Sequence, residues 1–464
     1  MVDNTERQSE LKDIVNGDVT FAGAHAESDL HDESLHQRAR EPFAVARPHS
    51  SEEVVQLARW ASRHEIPVTP RGSGTGLSGG ATPVNGGLVI SFDQMRALLR
   101  VDVRDHVAVV QAGITLRELN EQLLGTGLHY PVYPGELSGS LGGNVNTNAG
   151  GMRAVRHGVT RHHVLGLEVV LMDGSVLKTG GPVVKSSSGY DLTQLIIGSE
   201  GTLALVTEVT LKLSPVLTNS ATMLVPFSDL RAVTRVVPEL ISSGLSPSIL
   251  EYLDVLTMNS LSSGTDLHLG VNPDVARATA AYLIVVFETR TPEQLEGDLV
   301  AAATLVEDAG ALDVYVLEGA AATQLIEARE RAFWLAKSAG ANEIIDVVVP
   351  RSTVPAFLED VGELATRYGA FVAGCGHVGD GNVHLSIFQP DDEKRDVLLL
   401  ELFRAGLALG GAVSGEHGLG IDKRGPYLAL ADPALVELQR KIKRVFDPKG
   451  LLNPFRHLDA RDDS

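Results

Sequence analysis

The sequence predicts an α+β chain in two parts, a glycine-loop domain over 41–217 and a ferredoxin-like domain over 218–456. Three observations predict it. Three glycine-rich stretches fall in the first part: PRGSGTGLSGGA (70–81), PGELSGSLGGNVNTNAGG (134–151) and GYDLTQLIIGSEG (189–201). Strand and helix patterns then run β-α-β-β-α-β between Thr222 and Leu317, the split βαβ order. Two dense polar motifs, GCGHVGDGNVHLSI (374–387) and SGEHGLGIDKRG (414–425), occupy the last hundred residues. Residues 1–40 read as a polar N-terminal extension and 457–464 as a polar tail.

Within the first part, a short helix is expected around Glu10–Asn16. Ser51 is placed to cap a helix whose Val54, Val55, Leu57, Ala58 and Ala61 share one face. Ile66–Thr69 is a short strand that delivers the first glycine loop. Leu88–Phe92 and Val107–Val110 read as strands, and Thr115 starts a helix over Leu116–Leu124. His163–Met172 and Ser175–Thr179 pair across the Asp173-Gly174 turn. A helix, a Gly-Ser-Glu-Gly turn and a long strand fill Ser188–Leu213. Pro215 breaks that strand, so a boundary is expected near 214–219.

In the second part, Thr222–Pro226, Ile249–Leu253, Ala281–Glu288 and Leu312–Leu317 are strands. Asp229–Ser243 and Pro292–Ala309 are the helices between them. Helices over 320–338 and 353–368 follow, then strands Ala370–Gly374 and Val383–Phe388. No internal repeat is legible.

Composition narrows the function. Forty-seven glycines in 464 residues exceed the usual ~7% and cluster in a few loops, as backbone-lined ligand sites do. A net charge of −20 argues against nucleic-acid partners, which need Lys and Arg to replace counterions. The single cysteine, Cys375, excludes an intramolecular disulfide, a Cys-ligated zinc and an iron–sulfur cluster within this chain. MVDNTERQSE has neither a basic nor an apolar leader region, and no apolar run nears 18 residues. A cytoplasmic protein without a membrane span is expected.

The loop at 70–81 exposes successive N–H groups and suits a phosphate. Gly74, Gly76 and Gly79 satisfy the dinucleotide spacing literally, with Asp93 near the acidic position. That motif should open a helix, yet a strand follows here. Three such loops in one domain suit an extended ligand with many contacts.

In sequence order, these loops and the two C-terminal motifs resemble flavoproteins of the vanillyl-alcohol-oxidase type. The two C-terminal motifs narrow the resemblance to the D-lactate dehydrogenase, glycolate-oxidase large-subunit and D-2-hydroxyglutarate dehydrogenase group. It covers roughly 40–456. It implies a two-part PCMH-type FAD-binding domain, a ferredoxin-like cap, and a C-terminal helical segment that returns to the flavin. By position, Arg71, Gly72, Ser73, Gly74, Thr75 and Gly76 cradle the FAD pyrophosphate. Pro134, Gly135, Ser140, Gly142, Gly143 and Asn144 line the ribityl and ring region, with Thr147, Asn148, Gly150 and Gly151. Gly198, Glu200, Gly201 and Val206 sit by the adenine half, and Asn453 approaches from the C-terminus. Some relatives attach FAD through a His in the first loop. Thr75 stands there, so non-covalent FAD is expected. His157 stands where many relatives show Tyr.

His377 and His384 flank a turn-like VGDGNV, so a hairpin would bring both imidazoles to one end of a sheet. Two His and a carboxylate with open positions are a usual catalytic metal set. Glu416 is the expected third ligand of a divalent metal, zinc or manganese. Asp380 and Asn382 are expected to orient the ligands. The resemblance makes His417 the base. The reaction implied is oxidation of a D-2-hydroxy acid to the 2-oxo acid. The hydroxyl and one carboxylate oxygen meet the metal, and the C2 hydride passes to flavin N5.

The chain departs from the family near the substrate. Lys337 follows Trp334 at the spacing where relatives carry an Arg for the carboxylate, and Ile344 replaces a second basic group. This favours a lactate- or glycolate-like substrate, or a more apolar monocarboxylate, over 2-hydroxyglutarate. Arg329, Arg351 and Lys423 are reserve cations. The basic run Arg153–His163 is expected near the flavin or in steering an anion. A non-redox flavoenzyme resembling alkyl-glycerone-phosphate synthase and a metal-dependent hydrolase are the competing readings. The expected partners are a small 2-hydroxy acid, an unidentified electron acceptor, and either a second copy of the chain or a larger oxidase assembly.

Overall fold

The computed structural model describes residues 4–36, 40–265, 267, 269–454 and 456. Phe455 and the tail from 457 lie outside the described residues. No helix among those described is long and apolar enough to cross a membrane.

Helix α1, Asn4–Ile14, begins earlier than its sequence signal and buries Leu11. Strands β1 (Val19–Phe21) and β2 (Ala44–Ala46) lead into α2, Ser51–His64. The cap of α2 is Ser50, not Ser51. Ser50 is extended and its hydroxyl accepts from Glu53 N, whereas the Ser51 hydroxyl donates to Glu168 at 2.7 Å. β3 (Val68–Arg71) and β4 (Leu88–Ser91) complete a four-stranded sheet in the order β1-β2-β4-β3. The first glycine loop therefore leaves the C-terminal end of an edge strand. Leu452 returns from the far end of the chain to bridge Val68, and Asn453 N donates to Val68 O at 2.7 Å.

Five further strands build the second sheet: β5 (Leu98–Asp102), β6 (Val107–Gln111), β7 (Val164–Val170), β8 (Val176–Gly180) and β9 (Leu205–Lys212). Their order is β5-β6-β9-β7-β8. α3, Leu116–Gln122, starts at Thr115 with a full capping box to Glu118, as T-x-x-E announces. α2 packs Val54, Leu57, Ala58, Trp60 and Ala61 against strands of both sheets.

The third sheet has seven strands: β10 (Asn219–Phe227), β11 (Ile249–Asp254), β12 (Ala281–Thr289), β13 (Tyr315–Leu317), β14 (Glu343–Val348), β15 (Phe371–His377) and β16 (Asn382–Phe388). The order is β13-β10-β12-β11-β15-β16-β14. The first four strands form the expected split βαβ unit, with helices Leu230–Ser242 and Pro292–Asp308.

The remaining strands repeat that unit. β14, helix Val354–Tyr368, β15, β16, helix Asp392–Ala408 and a bridge from Ala412 to Val348 follow the same path. The two copies join edge to edge where Tyr252 pairs with Gly376 and Leu253 with Cys375. The sequence conceals this repeat because the second copy's last strand has shrunk to one bridge.

The four helices cover one face of the seven strands, around Val236, Phe357 and Phe403. The opposite face carries a smaller cluster with Leu253, Met258 and Leu325. The expected helix over 320–338 breaks at Arg331 into Gly319–Glu330 and Ala332–Ser338. These two helices lie over the opposite face, and the break opens a cavity beneath them.

Candidate active site

Strand alternation decides what reaches this cavity. On β15, Phe371, Ala373, Cys375 and His377 face it, and on β16 His384, Ser386 and Phe388 do. The cavity has a volume of about 680 Å³, and the glycine loops form its other wall.

Arg71, Gly72, Ser73, Gly74, Thr75 and Gly76 all line it. So do Pro134, Gly135, Ser140, Gly142, Gly143, Asn144, Thr147 and Gly150. Glu200, Gly201, Val206 and Asn453 complete that wall. Asn148, Gly151 and Gly198 do not reach it. Asn148 and Gly198 line a second, smaller cavity behind the Glu416 segment. Gly74 holds φ +76°, and a Cβ there would strike the Arg71 guanidinium. Gly150 passes so near the metal-candidate Glu416 that a Cβ would lie 3.1 Å from its Oε2.

This wall fits a long polar ligand. Buried Asn144 Nδ2 and Asn453 Oδ1 find no hydrogen-bond partner among the described residues. Arg71 is more constrained than its sequence role implied: Nη1 donates to His31 O at 2.9 Å and Nη2 to Ser28 O. The N-terminal extension thus ties down the guanidinium beside the glycine loop.

His377, His384 and Glu416 each place a donor atom within 4.8 Å of the others. Both imidazole Nε2 atoms stand 3.2 Å from Glu416 Oε1. Two nitrogens and an oxygen converging this way suit a divalent cation. Burial opposes a charge on His377, but Glu251 and Glu416 outweigh it and raise the imidazole's pKa.

Glu251 is the residue that sequence reading missed. It sits fully buried on β11, where a carboxylate in mid-strand, between Leu250 and Tyr252, is the only signal. Its Oε1 lies 2.5 Å from His377 Nδ1, and its Oε2 accepts from Arg329 Nε at 2.9 Å. Arg329 itself lines the cavity. Its Nη2 is 2.9 Å from the same Oε2 yet makes no hydrogen bond among the described residues.

Asp346 plays the matching part for the 414–417 segment. It is fully buried on β14 and accepts from Ser414 Oγ and from the backbone N–H of Gly415, Glu416 and His417. Lys423 Nζ approaches at 2.5 Å. Burial opposes the Asp346 charge, and His417 and Lys423 overcome it, so the carboxyl stays below the usual range. The His417 ring lies 5.3 Å from the His384 ring, and burial draws its pKa down to about 4.

Lys337 is not brought to the cavity. Its Nζ bonds Glu33 O and Oε2, both at 3.1 Å, and lies over the Phe333 and Trp334 rings. Helix geometry turns it away while Phe333, Trp334 and Ala336 face inward. The basic run is likewise a clasp between the domains. Arg153 pairs with Glu288 at 2.9 Å and Arg156 donates to Glu288 O at 2.8 Å. His157 lies outside the cavity, against the His129 and His163 rings.

Comparison with known proteins gives the following. The family described as FAD linked oxidases, C-terminal domain, matches residues 217–456, and the FAD binding domain family matches 42–180. An uncharacterised FAD-linked oxidoreductase of Mycobacterium tuberculosis is 50% identical over 454 residues, 98% of each chain. A D-lactate dehydrogenase of Anaerostipes hadrus is 35% identical over 97% of this chain and 96% of its own. A p-cresol methylhydroxylase structure shares the fold, with a TM-score of 0.80 at 17% identity over 99% of this chain and 98% of that one.

Proposed function

This chain belongs to the FAD-linked oxidases, and we propose that it oxidises a D-2-hydroxy acid to the 2-oxo acid. The observation that supports this most is one shared cavity. The glycine loops of the FAD-binding domain and the His377, His384 and Glu416 cluster face each other across it. FAD held along the glycine loops would supply a hydride acceptor, and a divalent cation such as zinc or manganese held by His377, His384 and Glu416 would supply Lewis acidity toward the substrate hydroxyl.

The chain's own residues then have distinct tasks. Arg329 holds the substrate carboxylate through Nη2, the atom Glu251 leaves free of a hydrogen bond. Glu251 accepts a hydrogen bond from the Nδ1–H of His377, which leaves Nε2 as the lone-pair nitrogen that would hold a cation. Asp346 gathers three backbone N–H groups and fixes the segment that carries Glu416 and His417. His417 takes the hydroxyl proton. Burial keeps its imidazole neutral at pH 7, which is the form a base needs.

Anaerobic addition of D-2-hydroxy acids to the flavin-loaded protein tests this reading. Bleaching of the visible flavin band, lost on chelation and restored by zinc or manganese, is expected. A flavin that no D-2-hydroxy acid bleaches sinks the proposal.

A further inference from the structure

We infer that the substrate carries an extended apolar tail, and that the β15–β16 hairpin is the track that binds it. The inference rests on the proposed oxidation of a 2-hydroxy acid. The hairpin offers three successive rungs to the cavity. Cys375 pairs with His384, Ala373 with Ser386, and Phe371 with Phe388. The first rung brings His384 beside the carboxylate and hydroxyl site. The second is made of two small side chains. The third is an edge-to-face aromatic pair with centroids 5.5 Å apart.

The spacing sets a length. His384 and Phe388 are four residues apart, about 13 Å at ~3.3 Å per strand residue. The methyl of lactate ends at the first rung. A chain of several carbons lies across Ala373 and Ser386 and meets the two phenyl rings.

The cavity also bares large apolar side chains. Phe371 is 53% exposed, and Trp334 and Leu256, on the roof, are each 42% exposed. Three large apolar side chains bared around one cavity are surface that an apolar ligand would cover.

Charge argues the same way. Glu33, Glu136 and Glu330 line the cavity, Arg71 is held by the N-terminal backbone, and Arg329 is taken up by Glu251 and by the substrate's first carboxylate. Lys337, on the helix that roofs the cavity, is held by Glu33. A tail that ended in a second carboxylate would meet acids and no free base among the described residues.

The test uses flavin- and metal-loaded enzyme and anaerobic stopped-flow reduction by D-2-hydroxyoctanoate, D-lactate and D-2-hydroxyglutarate. Octanoate is expected to exceed lactate at least tenfold in kcat/KM, and hydroxyglutarate to be slowest. Lactate equal to octanoate, or hydroxyglutarate fastest, overturns the inference. In Ala373→Phe the octanoate-to-lactate ratio should fall at least tenfold, and Ser386→Leu gives the same readout if the first variant loses its flavin. An unchanged ratio in a flavin-loaded variant overturns the track. Binding of 2-oxooctanoate and pyruvate, read as flavin spectral shifts, separates this inference from the reaction itself. If no acid reduces the flavin but 2-oxooctanoate binds at least tenfold tighter, the track stands and the oxidation falls. Equal binding overturns the track.

Discussion

Nδ1 of His377 stands 2.5 Å from Oε1 of Glu251, and that contact decides which nitrogen His377 turns to the cavity. The acid sits on one ferredoxin-like copy and the imidazole on the other. Glu251→Gln should keep the shape but weaken the tautomer preference, lowering metal affinity about 10–100-fold. Metal content after dialysis against graded chelator measures it. Glu251→Ala also strands the buried Arg329 charge, which costs about 3–5 kcal/mol, and a lower Tm should accompany it.

His417→Ala should retain flavin, because the ring borders the cavity without building its glycine wall. Substrate-driven flavin reduction should slow about 10²–10⁴-fold. Single-turnover stopped-flow reads this step directly, and wild-type reduction in the variant removes His417 as base.

Arg329→Lys and Lys337→Met separate the two cations. Losing the Arg329 contact to a carboxylate should cost about 1.5–3 kcal/mol, a roughly 10- to 100-fold rise in KM. Lys337→Met removes a part-exposed pair with Glu33, worth under about 1 kcal/mol, together with the bond to Glu33 O and the contact with the Phe333 and Trp334 rings, and KM should stay within about twofold. The reverse pattern would return the carboxylate to Lys337.

Acid should destabilise the His129, His157 and His163 cluster that adjoins the clasp. Burial, with Arg156 and Arg153 nearby, draws His157 from its ordinary value near 6.5 down to about 3, and His129 and His163 are lowered by burial too. The unfolded chain therefore binds more protons than the folded one between those values. Stability is full above about pH 6.5 and declines as pH falls toward 3. Thermal melts across pH 4–8 should show this decline, and His157→Gln should flatten it.

Much of the fold is legible because its signals are local. The T-x-x-E box at Thr115, the Asp173-Gly174 turn and the His377–His384 hairpin each lie within a few residues. What eluded sequence reading depends on distant partners. Glu251 and Asp346 look like mid-strand flaws between apolar neighbours until Arg329, His377, Lys423 and the 414–417 segment surround them. Lys337 has the spacing of a ligand residue, but spacing does not reveal that the helix breaks at Arg331 and turns it toward Glu33. The one-residue slip from Ser51 to Ser50 reflects two adjacent serines of equal capping propensity.

The edge-to-edge union of the two ferredoxin-like copies carries a consequence of its own. The cluster's imidazoles come from one copy and the acid that orients His377 from the other, across the Tyr252–Gly376 and Leu253–Cys375 pairs. The second copy and the segment after it hold all three cluster residues and borrow from the first the acid that orients one of them. A molecule whose halves are misjoined would therefore keep its glycine loops and the whole cluster, yet lack the carboxylate that sets which nitrogen His377 presents.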